Sequence, residues 1–291
     1  MTILRSLLFV PGNQPRMLER ASGLKPDAFI PDMEDSVPDD EKANARVVTA
    51  SYLAQLAAAG ARVIPRVNSL ETGLLDDDLA AVVGEHISGV SVGKICTPED
   101  IATISDKLEA LERDAGLEVG SISLVPWIET AQAIVNLYAI CTASPRIIGV
   151  AFGAEDFTND MGIERTESET ETYFARNSIA VAARAADVLA LDTPYFGFRD
   201  PDGLRDNAQT AKQYGFKGKF AIHPAQIDII NQTFSPSAAE IEQARRVVEA
   251  YREAEGRGRG STSLDGRVVD VPVVKRAEAL LELAESLSSS E

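Results

Sequence analysis

Eight short apolar runs recur along the chain, each ending in Gly, Pro or a polar residue: "SLLFVPG", "AFIPDMED", "RVIPRVNS", "GVSVGKI", "SISLVPWIET", "IIGVAFGAED", "VLALDTPYF" and "KFAIHPAQ". Short apolar runs bounded by turn residues are buried parallel strands when amphipathic helices separate them, because the helices cover both faces of the sheet. The separating segments have the punctuation of helices. In "TPEDIATISDKLEAL", Thr97 is placed to cap, Pro98 to open the first turn and Asp100 to close the box, with Ile101, Ile104, Leu108 and Leu111 along one face. "PDDEKANARVVTASYLAQLAAAG" begins with acids and stops at Gly60, and "SPSAAEIEQARRVVEAYREAEG" begins with serines and stops at Gly256. Eight strand and helix repeats within 291 residues predict an α/β fold, a (β/α)8 TIM barrel over 1–232. After the eighth run the pattern changes. "GRGRGSTSLDG" reads as a flexible Gly-rich stretch, "RVVDVPVVKRAEALLELAESL" as a final helix and "SLSSSE" as a frayed tail, so 233–291 is predicted to be a C-terminal helical extension or lid.

Charge and cysteine usage narrow the function classes. Lys and Arg total 28 against 45 Asp and Glu, a net charge of −17, which argues against nucleic acid or a membrane surface as partner. An anionic ligand would have to meet a local basic patch. Cys96 and Cys141 match no zinc or redox spacing, which points to a reduced, cytoplasmic setting. "MTILRSLLFVPGNQP" has too short an apolar core for a membrane span and reads as a first strand. No P-loop, GxGxxG or nucleophile elbow is found.

In a (β/α)8 barrel the chemistry sits at the C-terminal ends of the strands. Polar residues gather there: Asp32, Glu34 and Asp35 after the second run, Arg66 and Asn68 in the third, then Lys94, Glu129, Glu155, Asp156, Asp192 and His223. Several acids at one mouth need a cation. Mg2+ takes oxygen ligands and often only one or two carboxylates, so Glu129 with either Glu155 or Asp156 would suit it; the bland alternative has these acids favouring the N-termini of the helices that follow. Arg66 interrupts an apolar run, either as a buried ion pair or as a clamp for a carboxylate or enolate. His223 is a general base or, as the missing triad pattern favours, a satisfied core histidine. Arg16 and Arg20 share a helical face beyond a Gly–Asn turn and either meet phosphates or are solvated. "ERTESETET", 164–172, reads as a solvated loop.

The segments "RSLLFVPGNQPRMLERA", "IPDMEDSVPDDEKANAR", "PRVNSLET", "IETAQAIVNLYAI", "SPRIIGVAFGAEDFTNDMG", "FRDPDGLRDNAQTAKQYGFKGKFAIHPAQI" and "GSTSLDGRVVDVPVVKRAEALL" together resemble the citrate lyase β-subunit-like family, which includes malyl-CoA and citramalyl-CoA lyases of the HpcH/HpaI aldolase superfamily. The match runs in order along nearly the whole chain. It implies Mg2+ dependence, an acyl-CoA substrate, and homotrimers or hexamers in which one subunit's lid closes its neighbour's site. By motif position it implies Glu129 and Asp156 as metal ligands, Arg66 as the contact for the oxo-acid oxygens and enolate, and Asp270 as the acid/base on the lid. Phe9, Arg16 and Arg20 match positions that meet CoA, and Ile222 with His223 a strand end on its thioester side. Glu34, Asp35 and Glu155 would support these groups. The implied activity is reversible carbon–carbon cleavage of a 3-hydroxy-3-carboxyacyl-CoA; a malyl-CoA thioesterase, or a citrate lyase β-subunit acting on a carrier-protein thioester, are the alternatives.

Overall fold

The computed structural model describes residues 2–166 and 168–288; Glu167 of the 164–172 loop and residues 289–291 of the "SLSSSE" tail lie outside the described residues. Each of the eight apolar runs forms one stave of a closed parallel barrel: β1 (Ser6–Pro11), β2 (Ala28–Asp32), the pair β3 (Arg62–Val63) and β4 (Arg66–Val67), β5 (Gly89–Val92), β6 (Ser123–Ile128), β7 (Gly149–Phe152), β8 (Leu189–Asp192) and β9 (Gly218–Ala221). β1 pairs with both β2 and β9, which closes the sheet. The third stave is split, with Pro65, which has no N–H to give the ladder, between its halves.

Side chains alternate across a strand, and in a barrel one set of positions fills the interior. Leu7, Ala28, Ile30, Ile64, Val125, Trp127, Ala151, Leu191 and Phe220 form that buried cluster, with Phe9 packed against it. Continuing the same alternation by one step brings polar residues to the mouth: Asp32 follows Ile30, Arg66 follows Ile64 and Glu129 follows Trp127. The apolar layers therefore fix which strand-end residues share the mouth.

Around the barrel the helix Pro98–Asp114 has the expected capping box between Thr97 and Asp100. Its buried stripe is Ile101, Ile104, Leu108 and, in place of the expected Leu111, the fully buried Glu112. Glu112 is accepted there because both Nη atoms of Arg146 and the N–H groups of Gly120 and Ile122 engage its carboxylate. The helix Lys42–Ala58 stops before Gly60, whose φ of +87° is one that glycine adopts readily.

The chain divides into two compact units, Thr2–Asn231 and a second beginning at Gln232. Two helices, Ala238–Glu255 and Val271–Ser288, make up most of the second unit, and Ala244, Val247 and Val248 of one meet Val274 and Ala277 of the other. The stretch read as flexible contains a two-stranded antiparallel ribbon, Thr262–Leu264 with Arg267–Val269. Its turn residues Asp265 and Gly266 both have positive φ, 49° and 74°, the backbone of a tight hairpin that Asp–Gly favours. No helix among the described residues is long and apolar enough to cross a membrane.

Candidate active site

Asp32 and Arg66 are register partners on adjacent strands, so their side chains emerge side by side. Arg66 meets Asp32 through a two-armed fork, Nε to Oδ1 at 2.7 Å and Nη2 to Oδ2 at 2.6 Å. Its Nη1 reaches Asp35 at 3.0 Å and Glu34 at 3.2 Å. The rings of Phe9 and Trp127 lie 4.7 and 5.7 Å from the guanidinium carbon. The ion-pair reading of Arg66 thus describes this structure, and the same pairing fixes a positive charge at the mouth. The "DMED" turn beside it is held from behind: Asp32 accepts the N–H groups of Glu34 and Ser36, and Lys42 donates to the carbonyls of Met33 and Glu34.

Glu129 does not cap the helix that follows it; Thr130 does, accepting from the N–H of Ala133. Glu129 instead faces the mouth, 3% exposed, and accepts the backbone N–H of Lys94. Burial, then the nearby charges of Asp156 and Glu34, push its carboxyl up to about 8. Asp156, in the first turn of the helix Ala154–Asp160, is raised by burial and by Asp35. Glu34 is raised by burial, which Arg66 and Lys94 do not fully offset. Burial pulls Asp32 upward too, but Arg66 outweighs it and holds that carboxyl below its usual range. Negative charge is thus in excess around Glu129 and Asp156, and compensated at Asp32.

Those two carboxylates fit a magnesium ion. Both are hard oxygen donors, the kind magnesium takes from a protein, usually one or two carboxylates at a time. Two glycines keep the space open. A Cβ on Gly153 would stand 2.6 Å from Glu129 Oε2, and one on Gly93 would stand 2.7 Å from Glu34 Oε1.

Other sequence-designated residues are placed differently. Glu155 pairs with Arg165, 3.0 Å distant. Phe9 is partly buried and packs against the barrel-interior cluster, stacked on Phe220 at 5.2 Å and Trp127 at 5.8 Å. Arg16 and Arg20 are exposed on the helix Pro15–Ala21. His223 caps the turn Pro224–Gln226 through Nδ1 and stacks on Phe198 at 5.3 Å, while the N–H of Ile222 donates to Gln226. Asp270 belongs to the C-terminal unit and accepts the N–H of Val273 at the start of the last helix. The "ERTESETET" loop is more than a solvated segment: its Glu169 pairs with Arg165 and with the buried Arg176. The sequence places Asp32 among the mouth acids without pairing it to Arg66, and gives no sign of Lys42. The alternation from Ala28 and Ile30 was the available signal for Asp32; Lys42 had none, because its partners are backbone carbonyls.

The model of the HpcH/HpaI aldolase/citrate lyase family matches residues 5–224. The chain belongs to that family. Among its relatives, citrate lyase subunit beta of Haemophilus influenzae is 38% identical, covering 98% of both chains. The mitochondrial citramalyl-CoA lyase of Rattus norvegicus is 32% identical over 97% of this chain and 86% of its own. Among solved structures, protein CitE of Mycobacterium tuberculosis, in complex with magnesium, acetoacetate and coenzyme A, superposes with a TM-score of 0.78 at 26% identity, covering 96% of this chain and 97% of the other. This family member thus has lyases as relatives and a magnesium-bound structural neighbour.

Proposed function

We propose that this chain is a magnesium-dependent carbon–carbon lyase cleaving a 3-hydroxy-3-carboxyacyl-CoA, (S)-citramalyl-CoA or malyl-CoA, to acetyl-CoA plus pyruvate or glyoxylate. The observation that carries the reading is the pair Glu129 and Asp156, short of positive charge and kept open by glycines, beside the fixed charge of Arg66. The citramalyl-CoA lyase relative and the CoA-bound neighbour support the substrate class.

Glu129 and Asp156 would hold the magnesium, which when bound supplies Lewis-acid charge to the substrate's hydroxyl and carboxylate oxygens. The hydroxyl gives up its proton to solvent before closure; the bond between the carbinol carbon and the thioester α-carbon then breaks, its electron pair passing to the thioester enolate as the oxygen becomes a carbonyl. Arg66, aimed by Asp32, sets positive charge where negative charge grows, a preorganised effect of about 3–4 kcal/mol. Asp270 gives the enolate carbon its proton, or removes that proton in the condensation direction. In this reading a trimer or hexamer brings each C-terminal unit to a neighbour's mouth, where closure excludes water.

Incubating the purified protein with citramalyl-CoA or malyl-CoA, with and without Mg2+, should release acetyl-CoA and the oxo acid only when the metal is present. Asp270→Asn should keep the circular-dichroism spectrum and lose cleavage; near-normal turnover would remove Asp270 from the mechanism. Free CoA released without an oxo acid would instead identify a thioesterase. The 38% identity to a citrate lyase subunit beta favours a second reading, cleavage of a carrier-protein thioester. Its signature is inertness toward CoA esters until partner subunits are supplied.

A further inference from the structure

Lys94 follows β5 in the left-handed region, at φ 56°, a backbone conformation uncommon for a long side chain. Such residues persist when their surroundings hold them, and Lys94 is held at both ends. Its N–H donates to Glu129, and its ammonium lies 3.2 Å from Glu34 Oε1 and 3.8 Å from Asp35 Oδ1. One residue thus links a carboxylate of the metal seat to the "DMED" turn.

The two mouth cations differ in what they have left to give. Arg66 is 9% exposed, has Nε and Nη2 on Asp32 and Nη1 on Asp35 and Glu34, and has aromatic rings close by. The Lys94 side chain is 36% exposed, and among the described residues its ammonium has one hydrogen bond, to Glu34. An ammonium has three donors in a rotatable group, so Lys94 is able to take up an anion without breaking the Arg66 fork.

Resting on the lyase reading, we propose that Lys94 contacts the substrate: its ammonium binds the carboxylate of the oxo-acid portion and holds that end of the molecule beside Glu129 and Asp156. Arg66 then serves the growing charge and Lys94 the permanent one. No proton changes hands at Lys94.

Lys94→Met tests this, because it keeps the stem and the backbone N–H that Glu129 accepts. Steady-state kinetics in the condensation direction should show the KM for pyruvate or glyoxylate rising about 10- to 100-fold, as for loss of a charge-assisted hydrogen bond. The KM for acetyl-CoA should stay within about twofold, as expected where no contact is lost. Calorimetric titration with the oxo acid in the presence of Mg2+ should show the same loss of affinity, and Lys94→Arg should regain part of it. Manganese affinity and Tm, measured without substrate, should stay near wild type. Unchanged oxo-acid affinity overturns the assignment, as does a loss confined to manganese affinity or Tm, which would make Lys94 only a counter-charge for the acids. Wild-type protein without lyase turnover defeats the lyase reading, while the oxo-acid titration still decides Lys94: wild type that fails to bind pyruvate and glyoxylate, or Lys94→Met that binds them equally well, overturns it.

Discussion

Glu112 and Glu129 are both buried glutamates, 0% and 3% exposed, and their carboxyl groups are driven in opposite directions. Burial raises both. Glu112 receives both Nη atoms of Arg146 at 2.7 Å and two backbone N–H groups, and despite burial is brought down to about 2. Glu129 receives the N–H of Lys94, faces Asp156 and Glu34, and is pushed up to about 8. The fold completes one carboxylate and leaves the other short of positive charge. Partners, rather than residue type or burial, separate a compensated structural ion pair from a carboxylate left short of positive charge.

The sharpest break in that comparison is Glu129→Gln, which removes a proposed metal ligand. Magnesium-dependent turnover should fall about 10³-fold, at the upper end for loss of one preorganised electrostatic group, and calorimetry should show manganese affinity lost as well. Retained metal affinity would move the seat elsewhere.

Arg146→Met acts on the other member. It strands Glu112 as an uncompensated buried charge, so urea denaturation should show a loss of about 3–5 kcal/mol with activity per folded molecule unchanged. Replacing both partners, Arg146→Met with Glu112→Leu, should recover most of the stability, since an apolar pair leaves no charge unpaired. A double variant as unstable as the single would mean that packing, not charge, holds that site.

The last test is in pH. A carboxyl raised in the folded state adds stability that is full below its unfolded value and lost as pH rises through the folded value. For Glu129 that window runs from 4.5 to about 8. Metal-free wild type should therefore lose Tm relative to Glu129→Gln as pH rises across it, and the Tm gain on adding Mg2+ should grow over the same range. A difference that stays flat from pH 5 to 8 would place the Glu129 carboxyl back in the ordinary range.

Much of this was legible along the chain. All eight staves follow the apolar runs, and the Thr97 and Ser237 caps lie where the side-chain pattern sets them, because strand period and capping are local physics. The Thr262–Val269 ribbon was missed although its Asp–Gly turn is a local signal, because the glycines before it read as flexibility. Glu112 was missed because its hydrogen-bonding partners, Arg146 above all, are distant in sequence or lie on the backbone.

The sequence by itself determined which residues stand at strand ends, since that depends only on where each apolar run stops. The motif resemblance added Glu129 and Asp156 as a proposed pair. Tertiary structure alone decided the charge balance at the mouth. Asp32 aims Arg66 across neighbouring strands, Glu155 pairs with Arg165, and Glu129 keeps its excess because Asp156 and Glu34 come from other loops. Electrostatics between charges depends on distance through space, and residues up to 121 positions apart in the chain (156 − 35 = 121) act on one another here only once the barrel has closed.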